Sequence, residues 1–463
     1  MTSWTGSRTL PIALLAVIVG AAACVPVSGA PTSSRASTPA VGSTGPAASP
    51  EAAAPPSSDS TSSTAPGPLP LPTMSATQQQ VDFLLARVAA DPGDGAAQRD
   101  LGLALLQRIR ETSDPSGYPP AEAALQAARR LLPGDPLVLV GLGGLRLGRH
   151  AFADALKVGR EAVRLTPAIP SARAVVVDAL IELGRYREAF KEAKALAAAS
   201  PDLSTLARLS YARELQGDLR GALTAMREAA ASPGLAPENT AYVTALVGHL
   251  QRLTGDPSGA RRSYEQALAL VPGHAPSISG LGHLALGDGD LAAAEQAFRE
   301  ASAVVPLPEY VIALGETLEV AGDAEGARRQ YELARAEIAL FKANGVVVDL
   351  ELALFEADHG DAARALELAR AAYADTPTVR AADALGWALH RLGRDQEASR
   401  MAAEALRLGS RDPLLRFHAG AIEAAIGKRT AARADLRMAL STDPGFSATG
   451  AAEARRILER LQG

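Results

Sequence analysis

Apolar side chains fall at helical spacing in short blocks, and the blocks recur along the chain. In one block Ile278, Leu281, Gly282 and Ala285 share a helical face; after Gly289 a second run places Ala294, Phe298 and Ala301 the same way before Pro306. Residues three and four apart share one side of a helix, so this block predicts two short antiparallel helices. Glycine just past a helix supplies left-handed backbone, and proline beyond the second helix cannot continue it.

The punctuation keeps a period. Gly184, Gly217, Gly255, Gly289, Gly322, Gly360, Gly393 and Gly427 stand at intervals of 33, 38, 34, 33, 38, 33 and 34 residues. Pro133, Pro167 and Pro201 extend the same ruler upstream, and Pro272 and Pro306 repeat it. A unit of this length cannot bury its own apolar face and must stack on its neighbours, so the spacing predicts an all-α solenoid, a superhelix of helix pairs. Ala and Gly recur where helices would cross while aromatics make up 4% of the chain, which implies closely approaching helices and a thin, continuous core.

Leu281-Gly282, Leu314-Gly315 and Leu385-Gly386 are each followed, twelve residues after the glycine, by Ala294, Ala327 and Ala398. The same gap joins Gly248 to Ala260 and Gly420 to Ala432, and Tyr264, Phe298 and Tyr331 supply aromatics at the matching place. With the closing prolines, this pattern resembles the tetratricopeptide repeat family. The resemblance implies about ten helix pairs over residues 76–463, weakening towards the front, where Glu111 to Pro120 is inserted in a turn. Four added residues between Gly322 and Gly360 imply a long helix around Ala334 to Lys342. Beyond Pro444, Ala451, Ala452, Ile457 and Leu461 read as the inner side of a C-terminal capping helix, with Glu453, Arg455, Arg456, Glu459 and Arg460 elsewhere.

The front of the chain has a different character. Arg8 is the one charged side chain in residues 1–24, and Leu10 to Ala23 is an apolar run of fourteen, short of the roughly 20 that span a bilayer. This reads as a bacterial export signal, with a retained anchor as the alternative. Ala21, Ala22 and Ala23 lead into Cys24, the single cysteine of 463 residues. The arrangement is similar to bacterial lipoprotein signals, and that resemblance implies a thiol carrying diacylglycerol. Cleavage at an Ala-x-Ala site with Cys24 as an incidental residue is the other reading. Residues 25–75, dominated by Pro, Ser, Thr, Ala and Gly, cannot bury enough apolar surface to order themselves. They are expected to act as a tether with a reach of about 40 Å.

Charge narrows the partners. A net charge of -5 argues against nucleic acid. The cluster Arg185, Arg187, Lys191 and Lys194 is interleaved with Glu188 and Glu192, as on a solvated helix face. The glycines around Gly141 to Gly148 follow no strand, and Gly427-Lys428 is followed by Arg429 where a phosphate loop needs Ser or Thr. The seven histidines are scattered, which implies no metal, and no cofactor is expected.

In this family the first helices line the concave surface, and the residue after each first-helix glycine, or its equivalent, points into the groove. Those residues are Asp178, Tyr211, His249, His283, Glu316, Leu354, Trp387 and Ala421, with His390 and Arg391 one turn beyond Trp387. The polar and aromatic members are either the exposed side of amphipathic helices or a binding surface. Taken as a surface, Tyr211, His249, His283, Glu316, Trp387, His390 and Arg391 form the candidate groove, with Trp387 as the aromatic anchor. No Lys and Asn clamp for a C-terminal carboxylate is present in the row. The expectation is a non-enzymatic interaction scaffold, lipid-tethered on the outer face of a bacterial membrane, holding a protein or peptide in its concave groove. A small-molecule or glycan binder of the envelope, or an accessory subunit of an envelope enzyme or transporter, are the alternatives, as is a secreted or anchor-retained form.

Overall fold

A computed structural model describes residues 75–232 and 236–462; Cys24, the expected export signal and nearly all of the expected tether lie outside the described residues. Within them every regular element is helical. Helix α1 (Ala76–Ala90) packs on the first of ten antiparallel pairs. The pairs are α2 (Gly95–Thr112) with α3 (Tyr118–Leu131), α4 (Pro136–Gly148) with α5 (Phe152–Leu165), α6 (Pro170–Glu182) with α7 (Tyr186–Ala199), and α8 (Leu203–Leu215) with α9 (Leu219–Ala231). Next come α10 (Pro237–Leu253) with α11 (Pro257–Leu270), α12 (Ala275–Asp288) with α13 (Leu291–Val304), and α14 (Pro308–Ala321) with α15 (Ala324–Ala343). The last are α16 (Asp349–His359) with α17 (Ala362–Asp375), α18 (Val379–Arg391) with α19 (Asp395–Ala405), and α20 (Pro413–Ala425) with α21 (Arg429–Thr442), before α22 (Ala448–Gln462) closes the array. The all-α solenoid is therefore as the spacing predicts. The insertion at Glu111 to Pro120 forms a short 3-10 turn at Pro115–Gly117, and the added residues lengthen α15 to 20 residues.

The hinge inside four consecutive pairs, α8 to α15, is a two-residue device. Gly217, Gly255, Gly289 and Gly322 take φ of 75, 80, 78 and 92°, and each is followed by an aspartate that starts the second helix. The carboxylates of Asp218, Asp256, Asp290 and Asp323 accept a hydrogen bond from the backbone N–H three residues on, which satisfies a donor the helix leaves free. Each such cap contributes about 1 kcal/mol. Gly360 departs from the ladder with φ of -142°, though Asp361 still caps α17.

Within a pair, an aromatic of the second helix lies on a glycine of the first. A Cβ at Gly282 would stand 2.8 Å from the Phe298 ring, and one at Gly315 2.5 Å from Tyr331. Leu-Gly in the first helix and the aromatic in the second are two halves of one contact. Ala294, Phe298 and Ala301 are all fully buried beside it.

The array does not stay open. Its second half winds round until it meets the first along a seam that joins residues about 190 apart in sequence. Val347 donates its N–H to the Arg149 carbonyl at 3.1 Å, Val379 donates to the Tyr186 hydroxyl at 3.0 Å, and the Arg407 guanidinium lies over the Tyr186 ring at 4.9 Å. At the next step Gly217 abuts the backbone of Gly409 so closely that a Cβ would stand 2.3 Å from its carbonyl oxygen. Arg252 pairs with Asp443, and the His283 Nδ1 lies 2.9 Å from the Gly445 carbonyl. Ser447, at the start of α22, donates to Glu316 of α14 at 2.8 Å, while Arg429 and Arg433 of α21 reach the Leu461 carbonyl at its far end. Helix α22 thus caps α20 and α21 and also bridges to α14. Ala451, Ile457 and Leu461 face inward as expected, but Ala452 is exposed and Glu453 is buried, so the sequence reading had these two reversed.

Candidate functional site

The concave row follows the first helices α6, α8, α10, α12, α14, α16, α18 and α20. Because the superhelix closes, this side looks across at the chain's own opposite wall rather than at solvent. The expected continuous groove is therefore absent among the described residues, and the row divides into separate environments.

At the front, Asp178 and Arg208 form a fully enclosed two-pronged ion pair, with Nε to Oδ1 at 2.8 Å and Nη2 to Oδ2 at 2.7 Å, tying α6 to α8. Burial pushes the Asp178 carboxyl up to about 6 against the opposing pull of Arg208. Tyr211 is half-buried and lies with Leu215 and Leu219 against Val379 and Arg380 of the opposite wall, its hydroxyl pushed upward by desolvation.

The C-terminal end is filled. Trp387 is 2% exposed and sits inside the apolar core formed by α16 to α22. Its indole donates to Asp358 at 2.7 Å and stacks on the His418 ring at 4.1 Å, and His418 in turn lies 2.8 Å from Asp383. Burial raises the Asp358 carboxyl to about 7, opposed by the Trp387 hydrogen bond. Trp387 is thus a packed core residue rather than a groove-facing anchor, and α22 is one reason: Phe446, Ala451 and Ile457 belong to the same core. His390 is engaged by Asp395 at 2.5 Å and Arg391 by the Ala357 carbonyl at 2.8 Å. Glu316 is also enclosed, held by Ser447 and raised well above the carboxylate range by burial. These four side chains complete internal contacts and do not form one exposed surface.

The middle of the row is hollow. His249 of α10 and His283 of α12 reach a common cavity of about 110 Å³. Its wall continues with Tyr242, Leu246 and Arg252 of α10, Glu309 and Tyr310 at the start of α14, and, from across the seam, Asp412, Leu414, Asp443 and Phe446. His249 Nε2 stands 3.5 Å from Glu214, and its Nδ1 stands 3.3 Å from Arg252. Desolvation lowers His283 to about 4, so it is neutral and serves as a hydrogen-bonding group. Burial lifts Glu309 to about 7. The sequence reading brought His249 and His283 to this place but missed Tyr242, Arg252 and Glu309. Tyr242 was within reach, since it precedes His249 by seven residues on the same face of α10.

Among the described residues no group of three or more His, Cys, Asp or Glu is placed to hold a metal ion, and no helix is long and apolar enough to cross a membrane. The basic cluster on α7 is a solvated face: Arg185 pairs with Glu188 at 2.7 Å and Glu192 with Arg173 at 2.6 Å.

What the geometry defines is a closed array of stacked helix pairs. Residues 279–339, two pairs from α12 to α15, match the tetratricopeptide repeat family. No curated protein matches the chain. Among solved structures the chain is similar to the anaphase-promoting complex hetero-tetramer Cut9–Hcn1, at 14% identity over 83% of this chain and 94% of that one, TM-score 0.34. It is similar to a tetratricopeptide repeat protein from Parabacteroides merdae, at 16% identity over 56% of this chain and 99% of that one, TM-score 0.33. It is also similar to PilF of Pseudomonas aeruginosa, at 18% identity over 45% of this chain and 95% of that one, TM-score 0.36.

Proposed function

We propose that this chain is a non-enzymatic interaction scaffold, exported from a bacterial cell and held at the outer face of its membrane by lipid on Cys24. The scaffold reading is supported by tetratricopeptide repeats, which present stacked helices to protein partners. On this reading the partner binds on the outside, which the occupied ends of the concave row support. The observation that carries this is two couples of exposed apolar residues, each 34 apart, at the ends of second helices: Leu131 with Leu165, 42 and 52% exposed, and Leu270 with Val304, 47 and 50% exposed, while α7 and α9 between them end in Ala199 and Ala231. Exposed apolar side chains grouped on one surface mark interaction sites.

The test is photo-crosslinking in intact cells, with the reactive group beside Leu165 or Leu270 and a control beside Arg187. A discrete partner captured at either leucine and lost in Leu165→Glu or Leu270→Glu is the expected result. Identical capture from all three positions would sink the assignment. Fractionation of Cys24→Ala addresses the anchor separately, since stable attachment needs more than a single acyl chain: the variant should leave the membrane fraction, and unchanged partitioning would remove the lipid. The cavity at His249 and His283 favours small-molecule binding as a second reading.

A further inference from the structure

The second helices of the first three pairs share an outer face whose charges do not balance. Helix α3 is tied to α5 by Arg129 and Glu161 at 3.3 Å, and α5 to α7 by Arg160 and Glu188 at 3.7 Å, so the three lie side by side. Four of their five carboxylates are engaged: Glu161 and Glu188 in those pairs, Glu122 by Arg146 and Arg149, and Glu192 by Arg173. Asp154 alone makes no ion pair among the described residues. Against it stand six exposed cations, Arg130, Lys157, Arg164, Arg187, Lys191 and Lys194, none with a carboxylate within ion-pair distance among the described residues. The chain as a whole carries -5, so this face opposes the charge of the molecule that bears it.

The two exposed apolar couples sit in different fields. Leu131 follows Arg130 at the end of α3, and Leu165 follows Arg164 at the end of α5. Leu270 and Val304 end α11 and α13, where one unpaired cation, Arg262, stands against the unpaired Glu265 and Glu300. Leucines set among unpaired cations suit a lipid surface, where apolar side chains enter the headgroup boundary while Lys and Arg meet anionic headgroups. Single-stranded nucleic acid is instead held on aromatic platforms, and none of Tyr118, Phe152, Tyr186 and Phe190 on these helices is exposed. Chain order points the same way: these pairs follow α1, where the expected tether of about 40 Å ends.

We propose that the outer face of α3, α5 and α7 docks on an anionic phospholipid bilayer, with Leu131 and Leu165 entering the headgroup boundary and the six cations meeting phosphates. The couples then divide: the first meets lipid, and Leu270 with Val304 is left to the protein partner. The assignment rests on the membrane-anchored scaffold reading but not on the lipid of Cys24, because an unlipidated chain still binds through this face. Each cation near such a surface raises partitioning about fivefold, an effect that salt screens.

The test is co-sedimentation of the full chain carrying Cys24→Ala with phosphatidylcholine vesicles, with and without about 30 mol% phosphatidylglycerol. Neutral vesicles record whatever the apolar run Leu10 to Ala23 contributes, and the difference records the face. Phosphatidylglycerol should raise partitioning about tenfold or more, and high salt should abolish the gain. Arg130→Glu, Lys157→Glu and Arg164→Glu combined should cut the gain about tenfold, and Leu165→Ser several-fold, while Arg262→Glu on α11 should change it by less than about twofold. All these positions are exposed, so melting curves should match the parent; glutamine in place of glutamate gives a second set if they do not. Equal binding to the two vesicles, or a folded triple variant that binds like the parent, overturns the proposal. So does tighter binding, per anionic charge, of a single-stranded oligonucleotide or of polyglutamate, which would assign the face to nucleic acid or to an acidic protein. Vesicle binding with unchanged fractionation of Cys24→Ala keeps the face and removes the lipid; the reverse keeps the anchor and removes the face.

Discussion

Two stretches of the same concave row answer closure in opposite ways. Around Trp387 the space between first helices is filled by an indole, an imidazole and apolar α22 side chains, with the indole N–H donating to Asp358. Around His249 and His283 the space is left hollow, with His249, His283, Arg252 and Glu309 set among apolar wall residues. The row positions are equivalent in the repeat, so the difference comes from what lies opposite. At the C-terminal end α22 supplies apolar side chains, while in the middle the opposite wall consists of two turns, Asp412 to Leu414 and Asp443 to Phe446. An aromatic at a groove position is thus no guide to binding until its counterpart across the superhelix is known.

The largest expected effect breaks the filled end. Trp387→Ala should cost about 3–5 kcal/mol of unfolding free energy, the usual range for an enclosed tryptophan. Chemical denaturation monitored by circular dichroism checks it, and a midpoint close to the parent's would return Trp387 to the groove. The next effect loosens what sets both ends: Tyr186→Phe leaves the Val379 N–H without its acceptor in the seam. A buried unpaired donor costs about 1–3 kcal/mol, so a loss in that range is expected, and none would mean that the seam opens freely.

A subtler contrast lies in pH. The folded Asp358 carboxyl, with His418, Arg391 and Asp383 as its charged surroundings, titrates near 7 against an ordinary 3.8. The folded state therefore holds a proton that the unfolded chain releases, and stability contributed below about pH 4 is lost as pH rises through 7. Asp358→Asn, which keeps an acceptor for the indole, should flatten that decline; melting curves from pH 4 to 8 with equal slopes in both proteins would contradict it. The smallest effect belongs to the hollow middle. His249→Ala should shift stability by only about 0.5 kcal/mol, as for a side chain outside any closely packed contact. A loss of several kcal/mol would show the cavity wall to be as tightly built as the filled end.

Much of the array could be read from short-range pattern. Helix pairs, the long α15 and the contact of Phe298 on Gly282 follow from spacings below about forty residues, which periodicity records directly. The aspartates after the hinge glycines were equally visible as caps. The seam was not legible, because Tyr186 with Val379 or Arg252 with Asp443 depends on superhelical pitch accumulated over some five pairs. Small rotations per repeat leave no local signature. The misplaced site residues have two causes: Glu316 is covered by Ser447 at the start of α22, while Trp387, His390 and Arg391 are engaged by Asp358, Asp395 and the Ala357 carbonyl of their own and adjacent pairs.

The seam also constrains how this chain can change over generations. An open solenoid tolerates duplication or deletion of a unit, since each repeat touches only its neighbours. Here Gly217 must meet Gly409, Tyr186 must meet Val379, and His150 must meet Val347. One extra pair between them would shift every one of these meetings by a full repeat, setting Gly217 against a neighbouring repeat's turn in place of Gly409. Changing the number of repeats would therefore break these matched contacts, and variation is left to the outer faces.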